Sequence, residues 1–183
     1  LLSHARDLVS QFEQLEELML SQGQSERFQL GTTLTVGTCL APTLIGELEE
    51  TLPGLEVYSF VSNTHEIEEK LLKSELDAAV VEGEIQSPDL VVIPIIEDCL
   101  VLGCGSRHPF FEKIQISNSE LNDQCFAMRE QGSGTRQLFE DYVKRHHISI
   151  KVTWEANCPR TIINAVIWNK VLSVMSLRLL THE

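Results

Sequence analysis

An α/β fold in two lobes is what this sequence predicts, and three observations predict it. Strand-like and helix-like stretches alternate from Leu34 onward; a polar break at His108-Pro109 and Ser117-Asn118-Ser119 divides them into two series; and several strand candidates run directly into helix starts. Alternation of this kind builds a parallel sheet covered by helices. Two such lobes in series place a cleft between them as the default ligand site.

The elements follow in order. Leu1, Ala5, Leu8, Phe12, Leu15 and Met19 step by four, three, four, three and four, an a/d seam. That stripe either pairs with a partner helix or packs on its own domain. Gly23 through Gln29 read as a polar linker. Leu34-Thr35-Val36-Gly37 reads as a strand, and Pro42 opens a helix carrying Leu44, Ile45, Leu48 and Leu52 that Pro53-Gly54 stops. Leu55 to Val61 reads as a second strand. Asn63 followed by Glu66 resembles a capping box for a helix with Ile67, Leu71 and Leu72 inside. Leu76 to Val81, Leu90 to Ile96 and Cys99 to Gly103 read as three further strands.

After the break, Cys125-Phe126-Ala127-Met128 reads as a buried strand, and a helix runs to about His147 with Leu138, Phe139, Tyr142 and Val143 on one face. A strand is expected at Lys151 to Ala156. Pro159 then opens a helix with Ile162, Ile163, Val166 and Ile167 inside, and Leu172 to Leu180 forms a last apolar strand candidate.

A chain of 183 residues with 43% apolar content can bury a real core. No apolar run approaches the roughly 20 residues of a membrane span, and the acidic N-terminal stretch is no signal peptide, so a cytoplasmic protein is expected. Five cysteines at irregular spacings suggest neither a disulfide framework nor a zinc ribbon. The net charge of -13 repels phosphate backbones, so these residues are not expected to bind nucleic acid by themselves. The sequence starts inside a helical pattern without Met and stops soon after an apolar run, which reads as a chain cut at both ends.

Several segments, taken together, resemble the effector-binding domain of LysR-type transcriptional regulators, a branch of the type 2 periplasmic-binding-protein fold. They are the helix up to about Ser21, Leu34-Thr35-Val36-Gly37, Leu52-Pro53-Gly54-Leu55-Glu56-Val57, Leu76-Asp77-Ala78-Ala79-Val80, Ile96 to Leu102 before His108-Pro109, and Arg129 to Arg136. The resemblance implies two Rossmann-like lobes joined by two crossover strands and preceded by a linker helix. Residues 1–22 would be the linker and dimerisation helix, 31–106 plus 175–183 the first lobe, and 107–174 the second. A DNA-binding winged helix-turn-helix and the C-terminal end would be absent from this chain. The crossovers are expected near Gly105-Ser106-Arg107 and near Val174-Met175-Ser176.

The resemblance further implies a regulator, not an enzyme, that senses a small molecule, associates as a dimer or tetramer, and contacts DNA only through the absent domain. No cofactor, metal or membrane partner is expected. Cleft positions carried over by motif are Thr38, Cys39, Leu40, Asn63, Thr64, Glu82, Gly83, Gly132, Ser133, Gly134, Thr135 and Arg136. The chain departs from the family at Asn169-Lys170-Val171-Leu172, where a glycine-rich turn is common. A solute-binding component of a transporter is the alternative, because its cleft would look alike.

The residues themselves say what such a cleft can do. Gly132 to Arg136 place a flexible, hydroxyl-bearing turn at a helix start, where free N-H groups and the positive dipole end favour an anion. A cation in the first turn, Arg136, needs an offset from either a ligand carboxylate or a local acid, Glu130 or Glu140. Thr38, Thr64, Ser133 and Thr135 are hydroxyl donors that either converge on a small anionic metabolite or merely cap their own helices. Cys39 is read in a helix-start loop, where a thiolate would be stabilised. His146-His147, with Lys144 and Arg145, complement a helix C-terminus more simply than they bind metal. Trp154 and Trp168 read as core or interface residues. No nucleophile elbow, Walker loop, dinucleotide fingerprint or paired-carboxylate motif occurs, and Ser133 has no recognisable histidine partner.

Overall fold

The computed structural model describes residues 27–182, so the seam residues Leu1, Ala5, Leu8, Phe12, Leu15 and Met19 and the 1–22 helix lie outside the described residues. The remainder forms two sheets. The first has the order β2 (Glu56–Ser62), β1 (Arg27–Thr33), β3 (Ala78–Val80), all parallel. The second has the order β4 (Leu100–Cys104), β7 (Leu172–Ser176), β5 (Cys125–Arg129), β6 (Lys151–Ala156), with β4 antiparallel to β7 and the other pairs parallel.

The helices are α1 (Leu34–Cys39), α2 (Ala41–Thr51), α3 (Thr64–Leu72), α4 (Gly134–Arg145), α5 (Pro159–Trp168) and α6 (Leu177–His182). Pro42 and Pro159 occupy the first turns of α2 and α5, where a missing N-H does no harm. Asn63 caps α3 by accepting from the Glu66 N-H, as its spacing predicts. The second half of the expected capping box is not made, since the Glu66 carboxylate accepts instead from the Ser62 hydroxyl.

The second sheet holds the larger core, and β5 shows why. Side chains alternate across a strand, so Phe126 and Met128 pack on one face with Phe139 and Val143 of α4, while Ala127 faces Ile162, Ile163 and Val166 of α5. In the first sheet Leu30 on β1, Ile67 on α3 and Leu76 are buried.

Four expectations are corrected. Leu34-Thr35-Val36-Gly37 is helix, not strand, and the central strand β1 lies upstream, beginning inside the Gly23 to Gln29 stretch read as linker. The reason is that β1 ends in Thr32 and Thr33, buried but polar, so no apolar run marked it. Leu90 to Ile96 makes no hydrogen-bonded strand, and Val91 is 90% exposed; among the described residues no strand edge pairs with it. Leu172 to Leu180 is strand only to Ser176 and then turns into α6. Of the two readings given for Trp154 and Trp168, core or interface, the core one falls, since both are exposed, Trp168 lying under the Arg107 guanidinium.

The passage between sheets also moves. β4 pairs with β7 in the second sheet, so the chain crosses before Leu100 rather than near Gly105-Ser106-Arg107. It returns at Ser176-Leu177, at the end of the expected second crossover, and α6 packs against α1 of the first lobe. The two crossings are tied to each other. Leu177 N-H donates to the Cys99 carbonyl at 2.9 Å, the Arg178 guanidinium to the Glu97 carbonyl at 2.9 Å, and the Ser176 hydroxyl to the Asp98 carboxylate.

Phe126 shows no exposed surface, so Phe126→Ala is expected to lower unfolding free energy by about 3–5 kcal/mol in urea denaturation. A loss under about 1 kcal/mol would contradict this description of the second lobe's core.

Candidate functional site

Helix N-termini from both lobes meet at the cleft. The turn before α4 is set by Gly132, whose φ of +85° is in the left-handed region. Its carbonyl accepts from the His65 N-H of α3 at 3.1 Å. Gly134 N-H donates to the Thr64 hydroxyl at 3.1 Å, and that hydroxyl donates to the Glu82 carbonyl at 3.0 Å. The approach is close enough to require glycine on both sides. A Cβ on Gly134 would lie 2.2 Å from the Glu82 carbonyl oxygen, and one on Gly83, itself at φ +94°, would lie 2.6 Å from the Gly134 Cα.

One carboxylate spans the gap. Glu82 Oε1 accepts from the Thr35 hydroxyl on α1 at 2.8 Å and from the Thr135 hydroxyl on α4 at 2.7 Å. Both threonines are buried. Beside them only about 10 Å³ of space remains, in a void touched by Thr35, Thr135, Arg129 and Met175, about one water's volume.

A larger pocket of about 490 Å³ opens at the cleft mouth, lined by Val61, Asn63 and Glu66 of one lobe and Glu130, Glu155 and Asn157 of the other. Two of its carboxylates are matched by buried cations. Arg129 grips Glu130 through two bonds of 2.8 and 2.9 Å. Arg136 donates to Glu140 and Glu155, each at 2.6 Å, and to the Arg129 carbonyl at 2.8 Å. Burial disfavours the Arg136 charge, but the bonds to Glu140 and Glu155 outweigh it and hold the group more firmly protonated than usual.

Of the positions expected in the cleft, Asn63, Thr64, Glu82, Gly83, Gly132, Gly134 and Thr135 come together across the lobe boundary. Arg136 does not reach into it: local acids, Glu140 as one of the two anticipated and Glu155 in place of Glu130, offset its charge. Ser133 lies in the same turn at the α4 N-cap position, 2% exposed, with a hydroxyl that finds no partner among the described residues. Thr38 donates to the Leu34 carbonyl of its own helix at 2.8 Å, and Leu40 is the residue following α1.

Cys39 lies two residues before α2, as expected, but it closes the short helix α1 rather than sitting in a loop, because β1 ends at Thr33 and not at Gly37. Burial raises its thiol pKa, and the charges of Glu82 and Asp98 raise it further. The cysteine with a stabilised thiolate is Cys158, which is exposed before α5 and lowered by the backbone N-H and then the hydroxyl of Thr161.

Thr35 is the site residue that sequence reasoning missed, since it was placed inside a strand. The available signal was the hydroxyl run Thr32-Thr33 and Thr35 beyond Gly31, unusual for the middle of an apolar element.

Comparison with known proteins places these features. The sequence pattern of the LysR substrate binding domain matches residues 21–183. The HTH-type transcriptional regulator CysL of Bacillus subtilis (strain 168) is 25% identical over 185 residues, covering 100% of this chain and 62% of its own length. The HTH-type transcriptional activator CmpR of Synechocystis sp. is 27% identical over 183 residues, covering 100% of this chain and 60% of its own. This chain thus spans about three fifths of those relatives. The CcmR regulatory domain of Synechocystis PCC6803, solved in complex with 2-PG, superposes with a TM-score of 0.79 at 31% identity, covering 86% of this chain and 76% of that one. The two-sheet α/β architecture is therefore of the type 2 periplasmic-binding-protein kind.

Gly134→Ala is expected to force the lobes apart and lower stability by about 1–3 kcal/mol, read by chemical denaturation. In iodoacetamide labelling near neutral pH with peptide mapping, Cys158 is expected to react faster than Cys39, and their rates should converge as alkaline pH ionises both thiols. Faster labelling of Cys39 would contradict the assigned environments.

Proposed function

The chain belongs to the LysR substrate-binding-domain family, and from that premise we propose that it is the effector-sensing and oligomerisation part of a bacterial LysR-type transcriptional regulator. It binds a small anionic metabolite between the lobes. Effector binding then controls DNA binding by a winged helix-turn-helix outside these residues, within a cytoplasmic dimer or tetramer that catalyses no reaction. The relatives named above are transcription regulators, which leaves the solute-carrier alternative without support.

One observation carries the anionic reading: hydroxyls from opposite lobes, Thr35 and Thr135, converge on a single carboxylate oxygen in the cleft. That oxygen belongs to Glu82, and it stands in for the acidic group of a ligand. The setting favours negative charge, because the carboxylate meets the first turn of α4, whose N-terminus presents roughly half a positive charge there. The unpartnered Ser133 hydroxyl in the same turn adds to the argument, since a buried polar group left unbonded costs about 1–3 kcal/mol that a ligand oxygen could remove.

An effector held across both lobes has different contacts when they close or open, so it shifts their equilibrium about the two tied crossings. Coupling is reciprocal, and promoter DNA alters effector affinity by the factor through which the effector alters DNA affinity.

Titration calorimetry against a panel of small carboxylates and phosphate esters, 2-PG included, tests this. At least one is expected to bind saturably. Thr35→Val and Ser133→Ala should each weaken that compound by roughly tenfold, about 1.4 kcal/mol. Unchanged affinity in both variants would remove the anionic reading.

A further inference from the structure

Glu82 sits where the proposed effector's acidic group belongs, and it is part of the chain. It follows β3, the shortest strand of the first sheet, and precedes Gly83. Its backbone is anchored, because its carbonyl accepts from Thr64 and packs against Gly134. Its side chain has torsions of its own. The carboxylate can therefore leave the two hydroxyls without moving the loop that carries it.

The donors cannot serve two anions. Each threonine hydroxyl has one proton to give, and both point at Glu82 Oε1 from opposite lobes. In the void that both threonines line, about 10 Å³, an acidic ligand finds no room. It must replace Glu82. A neutral ligand gains nothing comparable, because the α4 N-terminus and the paired hydroxyls favour a charged oxygen over an uncharged one.

We infer that Glu82 is the specificity-determining residue of the cleft: its carboxylate is a built-in competitor, and the site admits only a ligand whose own carboxylate or phosphate displaces it from between Thr35 and Thr135. This rests on the effector reading above and deepens it. The residue sets a threshold that weak or uncharged metabolites fail, since apparent affinity falls by the fraction of molecules in which Glu82 has left the hydroxyls. Removing the side chain removes the threshold and leaves a hole shaped for a small carboxylate.

Thermal melts of the 183-residue chain in sodium acetate and in sodium chloride of matched ionic strength read this directly. Glu82→Ala is expected to melt below the wild type in chloride and to recover saturably in acetate, while the wild type responds to neither salt. Adding Thr35→Val to Glu82→Ala should abolish the recovery. Should Glu82→Ala not fold, Glu82→Gln keeps the volume without the charge, and acetate is expected to raise its melting temperature saturably at concentrations that leave the wild type unchanged. Equal responses of wild type and variant to acetate would overturn the inference. The two readings fail separately. Acetate rescue of Glu82→Ala with no panel compound binding the wild type would sink the effector assignment and keep the competitor; a bound metabolite with no acetate effect in either variant would do the reverse.

Discussion

Two helix N-termini are brought nose to nose across the cleft, and like partial charges do not tolerate that unless something negative lies between them. α3 and α4 arrive from different lobes, and the His65 and Gly134 amides face the opposing lobe's oxygens. Between them lie the Gly132 and Glu82 carbonyls and the Thr64 hydroxyl, while the Glu82 carboxylate beside them is gripped by Thr35 of α1 and Thr135 of α4. The arrangement of the rest follows. Gly83 and Gly134 have no side chain because the backbones must come within contact distance for that carboxylate to reach both hydroxyls.

The arginines around the turn have a different task from the one their position suggests. The Arg136 guanidinium is taken up by Glu140, Glu155 and the Arg129 carbonyl, tying α4 to the ends of β5 and β6. Arg129 is held by Glu130. Buried ion pairs of this kind add little net stability but fix orientation, since breaking one leaves a charge without a partner. The turn is thereby fixed to its own lobe, and the covalent passage between lobes lies elsewhere, at the crossings. There Leu177, Arg178 and Ser176 hold Cys99, Glu97 and Asp98.

Legibility in the sequence tracked whether a signal was local. Asn63 with Glu66 three residues on, Pro159 opening α5, and the Lys151 to Ala156 strand could all be placed, because caps, prolines and flanking periodicity act within a few residues. β1 could not. It is the central strand of its sheet yet ends in two buried threonines, and the apolar Leu34 and Val36 beyond it drew the strand reading downstream. That single displacement carried two others: Thr35 was missed, and Thr38 and Cys39 were read as loop although they lie in α1, where the Thr38 hydroxyl bonds its own turn.

By itself, then, the sequence determined the alternation of strands and helices, the two-lobed division and the Gly132 to Arg136 turn, because turn chemistry and apolar periodicity are written in neighbouring residues. Only the tertiary structure decided what that turn meets. Glu82 and Thr135 lie 53 positions apart and Thr35 and Glu82 lie 47 apart; partnership at such separations depends on how the lobes pack. The chemistry of the cleft is a property of that packing, since a carboxylate near hydroxyls and helix ends is a ligand mimic only when the fold puts them in one place.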